Sequence, residues 1–129
     1  MVDKFRQILD ELKKKGHVSL FAVFKMDEFA DRWSIAICAD WIRDKKKGFN
    51  EVVDIILNIL SKEEWDLIAR VGVFDKEEYI TRVFSQFRSG TVIKEKQQVN
   101  GFTIYEGYIL ASNDEEKSKE QGKEHQNQL

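Results

Sequence analysis

Lys96-Gln97-Gln98-Val99-Asn100-Gly101-Phe102-Thr103-Ile104-Tyr105 is the stretch whose reading decides how this chain folds. Asn-Gly between two runs of strand-forming residues supplies two successive positions that tolerate positive φ, which a tight two-residue hairpin turn requires. Working outward, Thr91 to Val99 and Phe102 to Ala111 read as antiparallel strands. Counting back from the turn pairs Val99 with Phe102 and sets Glu95 directly opposite Glu106.

A second hairpin precedes it. Val18 to Met26 is apolar on both faces, as expected of a central strand, and Arg32 to Ala39 follows as its partner across the loop Asp27-Glu28-Phe29-Ala30-Asp31. Ahead of this pair, Asp3 to Lys15 reads as a helix, with Phe5, Ile8, Leu9 and Leu12 on one stripe and Gly16 as its stop. The middle of the chain is helical. Asp40 to Gly48 reads as a polar loop. Phe49 to Leu60 reads as a mostly buried helix whose polar line is Asn50, Asp54 and Asn58. Ser61 with Glu64, and Asp75 with Glu78, have capping-box spacing. The first opens a short helix carrying Trp65 and Ile68. The second opens a helix with the stripe Tyr79, Ile80, Val83, Phe84 and Phe87, closed by Gly90. Val71 to Phe74 fits a short strand or a connector. The expected class is α+β in the order α-β-β-α-α-α-β-β: two antiparallel β-hairpins form a sheet, and helices pack on one side.

Composition sets the bounds. At 129 residues and 42% hydrophobic the chain suffices for one domain with a real core. That domain is placed at residues 1–111, which hold eighteen acids and eighteen bases, so the net charge of −2 resides in the polar segment 112–129. The segment has five acids, three lysines and one large apolar residue, Leu129, and is expected to be disordered. A single cysteine, Cys38, excludes an internal disulfide and suits a reducing compartment. No signal-type apolar region follows Met1, and no apolar run approaches the roughly 20 residues that span a bilayer. The expectation is a cytoplasmic domain without membrane association.

Four constellations have chemical potential. The lysine runs Lys13-Lys14-Lys15 and Lys45-Lys46-Lys47 fall at the same end of the first hairpin, beside His17, Trp41, Arg43 and Phe49. Clustered lysines attract phosphates and exposed aromatics stack on bases, so these residues form a candidate nucleic-acid surface. The competing reading is a solvated helix end, where lysines meet the negative end of the dipole. Glu95 and Glu106, if apposed, would repel one another and raise one pKa, as in a general acid. Asp27, Glu28 and Asp31 are three carboxylates within five residues, without the glycine or spacing of a calcium loop. His17, Cys38 and Asp40 could approach at the open end of the hairpin, although Cys38 lies in an apolar strand where a thiol is inert.

No phosphate loop, dinucleotide fingerprint, zinc motif or nucleophile elbow occurs in the sequence. Neither a catalytic residue nor a metal or other cofactor is assigned. The leading expectation is a small binding module acting through a protein partner or self-association, as a possible homodimer. Its surplus aromatics, Trp41, Phe49 and Tyr105 among nine Phe, three Trp and three Tyr, are candidates for a contact patch. The alternatives are nucleic-acid binding through the lysine runs and a small enzyme using Glu95 and Glu106.

Overall fold

The strand that is apolar on both faces lies at the centre of the molecule. The computed structural model describes residues 1–26, 31–99 and 101–112. Its elements are α1 (Val2–Lys13), β1 (Val18–Met26), β2 (Trp33–Ala39), α2 (Lys45–Ile59), α3 (Lys62–Trp65), β3 (Ile68–Val73), α4 (Tyr79–Phe84), β4 (Thr91–Ile93), β5 (Gln97–Val99) and β6 (Phe102–Ser112). The fold is α+β. One six-stranded sheet has the order β3-β2-β1-β6-β4, with β5 also paired to β6.

β1 is antiparallel to β2 on one side (Phe21 opposite Ile37) and to β6 on the other (Val23 opposite Tyr108). Side chains alternate across the sheet, so β1 feeds two cores. Phe21 and Val23 join Phe5, Ile8 and Leu12 of α1 and Val52 and Ile56 of α2. Leu20, Ala22 and Phe24 join Val83 and Phe84 of α4, with Ile104 and Ile109 of β6. Each fully buried Phe or Ile contributes about 1.5–3 kcal/mol of transfer free energy, which accounts for a two-core sheet in a chain this short. The helices expected on one side are therefore divided: α1 and α2 cover one face, and α4 covers the other.

β3 changes the topology. It pairs parallel with β2, Ile35 opposite Val71 and Ile37 opposite Val73, so the sheet is mixed. A parallel connection needs a crossover, and α2 with α3 supplies it. Residues 45–48, expected as loop, form the first turn of α2. The Asp44 side chain caps that turn, accepting from the backbone N–H groups of Lys46 (3.0 Å) and Lys47 (3.2 Å). Gly48 is buried because Ile42 packs directly on the helix backbone there, where a Cβ would collide with the Ile42 side chain.

The first capping box is complete at Ser61 and Glu64, with N–H donors 2.9 and 3.1 Å from the reciprocal oxygens. At Asp75 only the return arm exists: its N–H donates to Glu78 Oε2 at 2.6 Å, and α4 starts after Glu78.

The second hairpin keeps the Val99–Phe102 pairing around Gly101, whose φ of +89° is the left-handed conformation the turn needs. The ladder then slips. Gln97 stands opposite Ile104, but Ile93 stands opposite Gly107, so the strand expected over 91–99 is split by a bend at Lys94-Glu95-Lys96. Ser112, assigned to the tail by sequence, closes β6: it is buried, and its N–H donates to Ser89 Oγ at 2.9 Å. The rest of the predicted tail, 113–129, lies outside the described residues, as do Asp27 and Glu28 of the acidic loop. Among the described residues no helix is long and apolar enough to cross a membrane.

Candidate functional site

The slip in the ladder removes the proposed carboxylate pair. Glu95 is exposed on the bend, and the residue facing Glu106 on β1 is Lys25, whose Nζ lies 3.5 Å from Glu106 Oε1. Lys25 also sits 4.6 Å from the Trp33 ring centroid. Glu106 is thus one partner of a cation held over an aromatic face, and the Tyr108 hydroxyl lies 3.3 Å from its Oε2. Burial, then the Glu106 charge, push the Tyr108 phenol upward.

The lysine runs do lie at one end of the sheet, but much of their charge is met within the chain. Lys14 pairs with Glu11 (2.7 Å), Lys15 with Glu51 (3.0 Å), and Lys45 with Glu78 (2.8 Å) and Asp75 (3.6 Å). Lys15 also stands 5.5 Å from the Trp41 ring centroid, and the Trp41 side chain packs on Gly16. Trp41 is consequently half-buried and unavailable as a stacking platform. His17 and Arg43 are exposed nearby, and the His17 carbonyl accepts from the Asp40 N–H at 3.0 Å. Lys13, Lys46 and Lys47 are exposed, with no ion pair among the described residues.

Cys38 has Ser19 as its neighbour rather than His17. The Ser19 hydroxyl lies 3.2 Å from Sγ and 3.1 Å from the Cys38 carbonyl. Burial pushes the thiol up, against a smaller opposing effect of the serine hydrogen bond. A groove of about 360 Å³ passes Cys38, Asp40, Phe74 and Lys76, and its polar wall is tied by the Lys76–Asp40 ion pair at 3.0 Å. Another, of about 460 Å³, runs between α1 and α2 past Asp10, Glu11, Lys14, Ile55 and Asn58. In the first groove the Cys38 thiol has Ser19 as its hydrogen-bond partner, and in the second the Lys14 ammonium is ion-paired with Glu11. Among the described residues no three His, Cys, Asp or Glu side chains are placed to hold a metal ion.

The feature with chemical potential is instead the open edge of the sheet at β3. Phe74 N–H donates to Ile37 O at 2.8 Å, so the alternate residues Gly72 and Arg70 turn their backbone groups towards β2. Val71 and Val73 turn theirs outward, where the described residues hold no further strand. An unpaired row of N–H and C=O groups is a template for another strand, and proteins ordinarily blunt it with charge, proline or brevity. The far edge is blunted: β4 has three residues and runs into Lys94-Glu95-Lys96. β3 has six residues with one charge, Arg70, and that guanidinium is turned onto Ser34 Oγ (3.2 Å) and Met26 Sδ (3.3 Å).

Helix α2 extends this edge into a surface. Its Glu51, Ile55 and Asn58 side faces α1, through the Lys15–Glu51 pair and the interhelical groove. At 100° per residue Lys46, Phe49, Val53 and Leu57 take the opposite flank, over the β3 side. Phe49 is 41% exposed and Leu57 47%; Leu67, just before β3, is 46% exposed. The sequence predicts a mostly buried helix over Phe49 to Leu60. Only Gly48, Val52 and Ile56 are buried along it, and the Asn50, Asp54, Asn58 line faces solvent. Of the five large apolar residues exposed among the described residues, three lie in the β2–β3 crossover. Phe49 was legible as a contact candidate. Leu57 and Leu67 were not, although the apolar run Ile68–Val73 some thirty residues after β2 is the spacing of a strand–helix–strand unit. Comparison of the chain with protein-family models, with curated proteins and with solved structures finds no match.

Proposed function

We propose that this domain is a protein-interaction module that works through the β3 edge and the adjoining flank of α2. The observation that carries the reading is the pairing of unfilled backbone hydrogen-bonding groups on β3 with exposed Phe49, Leu57 and Leu67 in the crossover that leads into it. Such an edge supports strand addition, in which main-chain hydrogen bonds give affinity and neighbouring apolar side chains give selectivity. Nucleic-acid binding has less support, because Lys14, Lys15 and Lys45 already face carboxylates. Apposed Glu95 and Glu106 no longer support an enzyme.

The test compares wild-type chain with the double variant Phe49→Glu, Leu57→Glu in quantitative affinity capture. Both positions are exposed, so folding stability should change by no more than about 0.5 kcal/mol. Loss of specific polypeptides from the variant, with unchanged thermal unfolding, is expected. Identical captured sets would count against the reading.

A further inference from the structure

Charge along the β2–β3 crossover is polarised in a way that one copy of the chain does not use. The first turn of α2 carries Lys45, Lys46 and Lys47 and no acid, placing cations at the positive end of the helix dipole, where they are unfavourable. Past the far end of the helix come Glu63, Glu64 and Asp66 with one Lys62. Lys45 is satisfied by Glu78, and Glu64 by its capping box. Lys46, Glu63 and Asp66 are exposed without an ion pair among the described residues. Between the two charged ends lies the apolar flank Phe49, Val53, Leu57. The pattern is basic, apolar, apolar, apolar, acidic, which is complementary to its own reverse.

Resting on the interaction reading above, we propose that the occupant of the β3 edge is a second copy of this chain. The two β3 strands pair antiparallel about a twofold axis near Val71. Val71 then faces its own counterpart through the outward N–H and C=O groups, and Val73 meets Ala69 of the partner subunit. The same axis lays α2 antiparallel to α2 of the partner. Phe49 packs on Leu57 of the partner subunit, Val53 packs on itself, and Lys46 faces Glu63 and Asp66 of the partner subunit, each contact occurring twice. An isologous interface requires this self-complementarity. The spacings agree as well. Strands sit about 4.8 Å apart and packed helices about 8–10 Å apart, so helices placed roughly one strand spacing either side of the axis come into contact. The result is a continuous twelve-stranded sheet with β3 no longer an edge.

Sedimentation equilibrium on the full chain tests this, with thermal unfolding confirming that each variant folds. Wild type is expected to be dimeric at about 100 μM, and Leu57→Glu to weaken the dimer by at least about tenfold. Lys46→Glu should weaken it by a smaller factor that shrinks with added salt. The triple variant Lys46→Glu, Glu63→Lys, Asp66→Lys should recover wild-type affinity, which a merely structural effect of Lys46 would not produce. A wild-type chain that stays monomeric at about 1 mM overturns the proposal, as does a dimer that Leu57→Glu and Lys46→Glu leave unchanged. A monomeric wild type whose captured polypeptides still depend on Phe49 and Leu57 overturns the homodimer alone and leaves the interaction reading standing.

Discussion

Cys38 illustrates how position decides reactivity. It alternates onto the α4 face of β2, on the same face as Ala36 and opposite Leu20, and is 3% exposed. The thiolate is the reactive form, and burial disfavours it. Under native conditions Cys38 should therefore react with a disulfide reagent at least about a hundredfold more slowly than in denaturant, because access requires opening of the core. Rapid native labelling would contradict its placement. Glu78 shows the opposite shift. The Lys45 ammonium, and secondarily the Asp75 N–H, hold its carboxyl below the usual carboxylate range. A depressed folded-state value means that the contribution to stability is present above the unfolded pKa and is lost as pH falls through the folded one. Both groups are largely exposed, so the contribution is small. Lys45→Ala should move the Glu78 carboxyl up towards its ordinary value, readable by NMR titration of the side-chain carbon.

At the scale of elements, α2 is the most informative. Gly48 costs helix propensity, on the order of 1 kcal/mol relative to Ala, yet it is the contact point for Ile42. Gly48→Ala should destabilise the fold by about 1–3 kcal/mol despite that propensity gain, since the collision involves atoms close to the Ile42 backbone. Chemical denaturation measures it; a rise in stability would show that the 42–48 segment relaxes freely. Ser61→Ala should cost about 1 kcal/mol by removing one arm of the capping box and leaving Glu64 N–H without its acceptor. Local signals of this kind were legible in sequence: the Ser61 box, the stripe of α1 and the turn at Gly101 each depend on neighbours within four residues. The start of α2 was misread because three lysines at a helix N-terminus oppose the dipole, and Asp44 as the cap was lost among polar residues. The split between β4 and β5 was misread because a bend in one strand leaves no mark on the alternation of the other.

For the whole molecule, the α+β class and the central position of β1 followed from apolar patterning, whereas the parallel pairing of β3 did not. Parallel registry depends on how a crossover of nearly thirty residues closes, which local sequence does not encode. The candidate surface was partly legible for the same reason. Phe49 stood out as an aromatic beside a lysine run, but an open edge exists only once the strand order is known. Edge exposure also makes a prediction about dynamics. In dilute monomer the outward amides of Val71 and Val73 should exchange with solvent at least about tenfold faster than those of Arg70 and Gly72, as seen by hydrogen-exchange NMR.

Long-range closure has a further consequence, for the order in which the chain can become structured. β1, which begins at Val18, has β6 as one of its two neighbours, with Leu20 opposite Ser112. Some ninety residues separate those partners, so the ladder at the heart of the sheet is a high-contact-order pairing of the kind that folds in milliseconds to seconds. During synthesis the first hairpin emerges with Phe21, Val23 and Phe24 in place and no β6 to receive them. The β6-facing side of the strand that the finished molecule protects on both sides thus stays open until the end of the chain is made, and α1 is the nearest apolar cover β1 has in the interval.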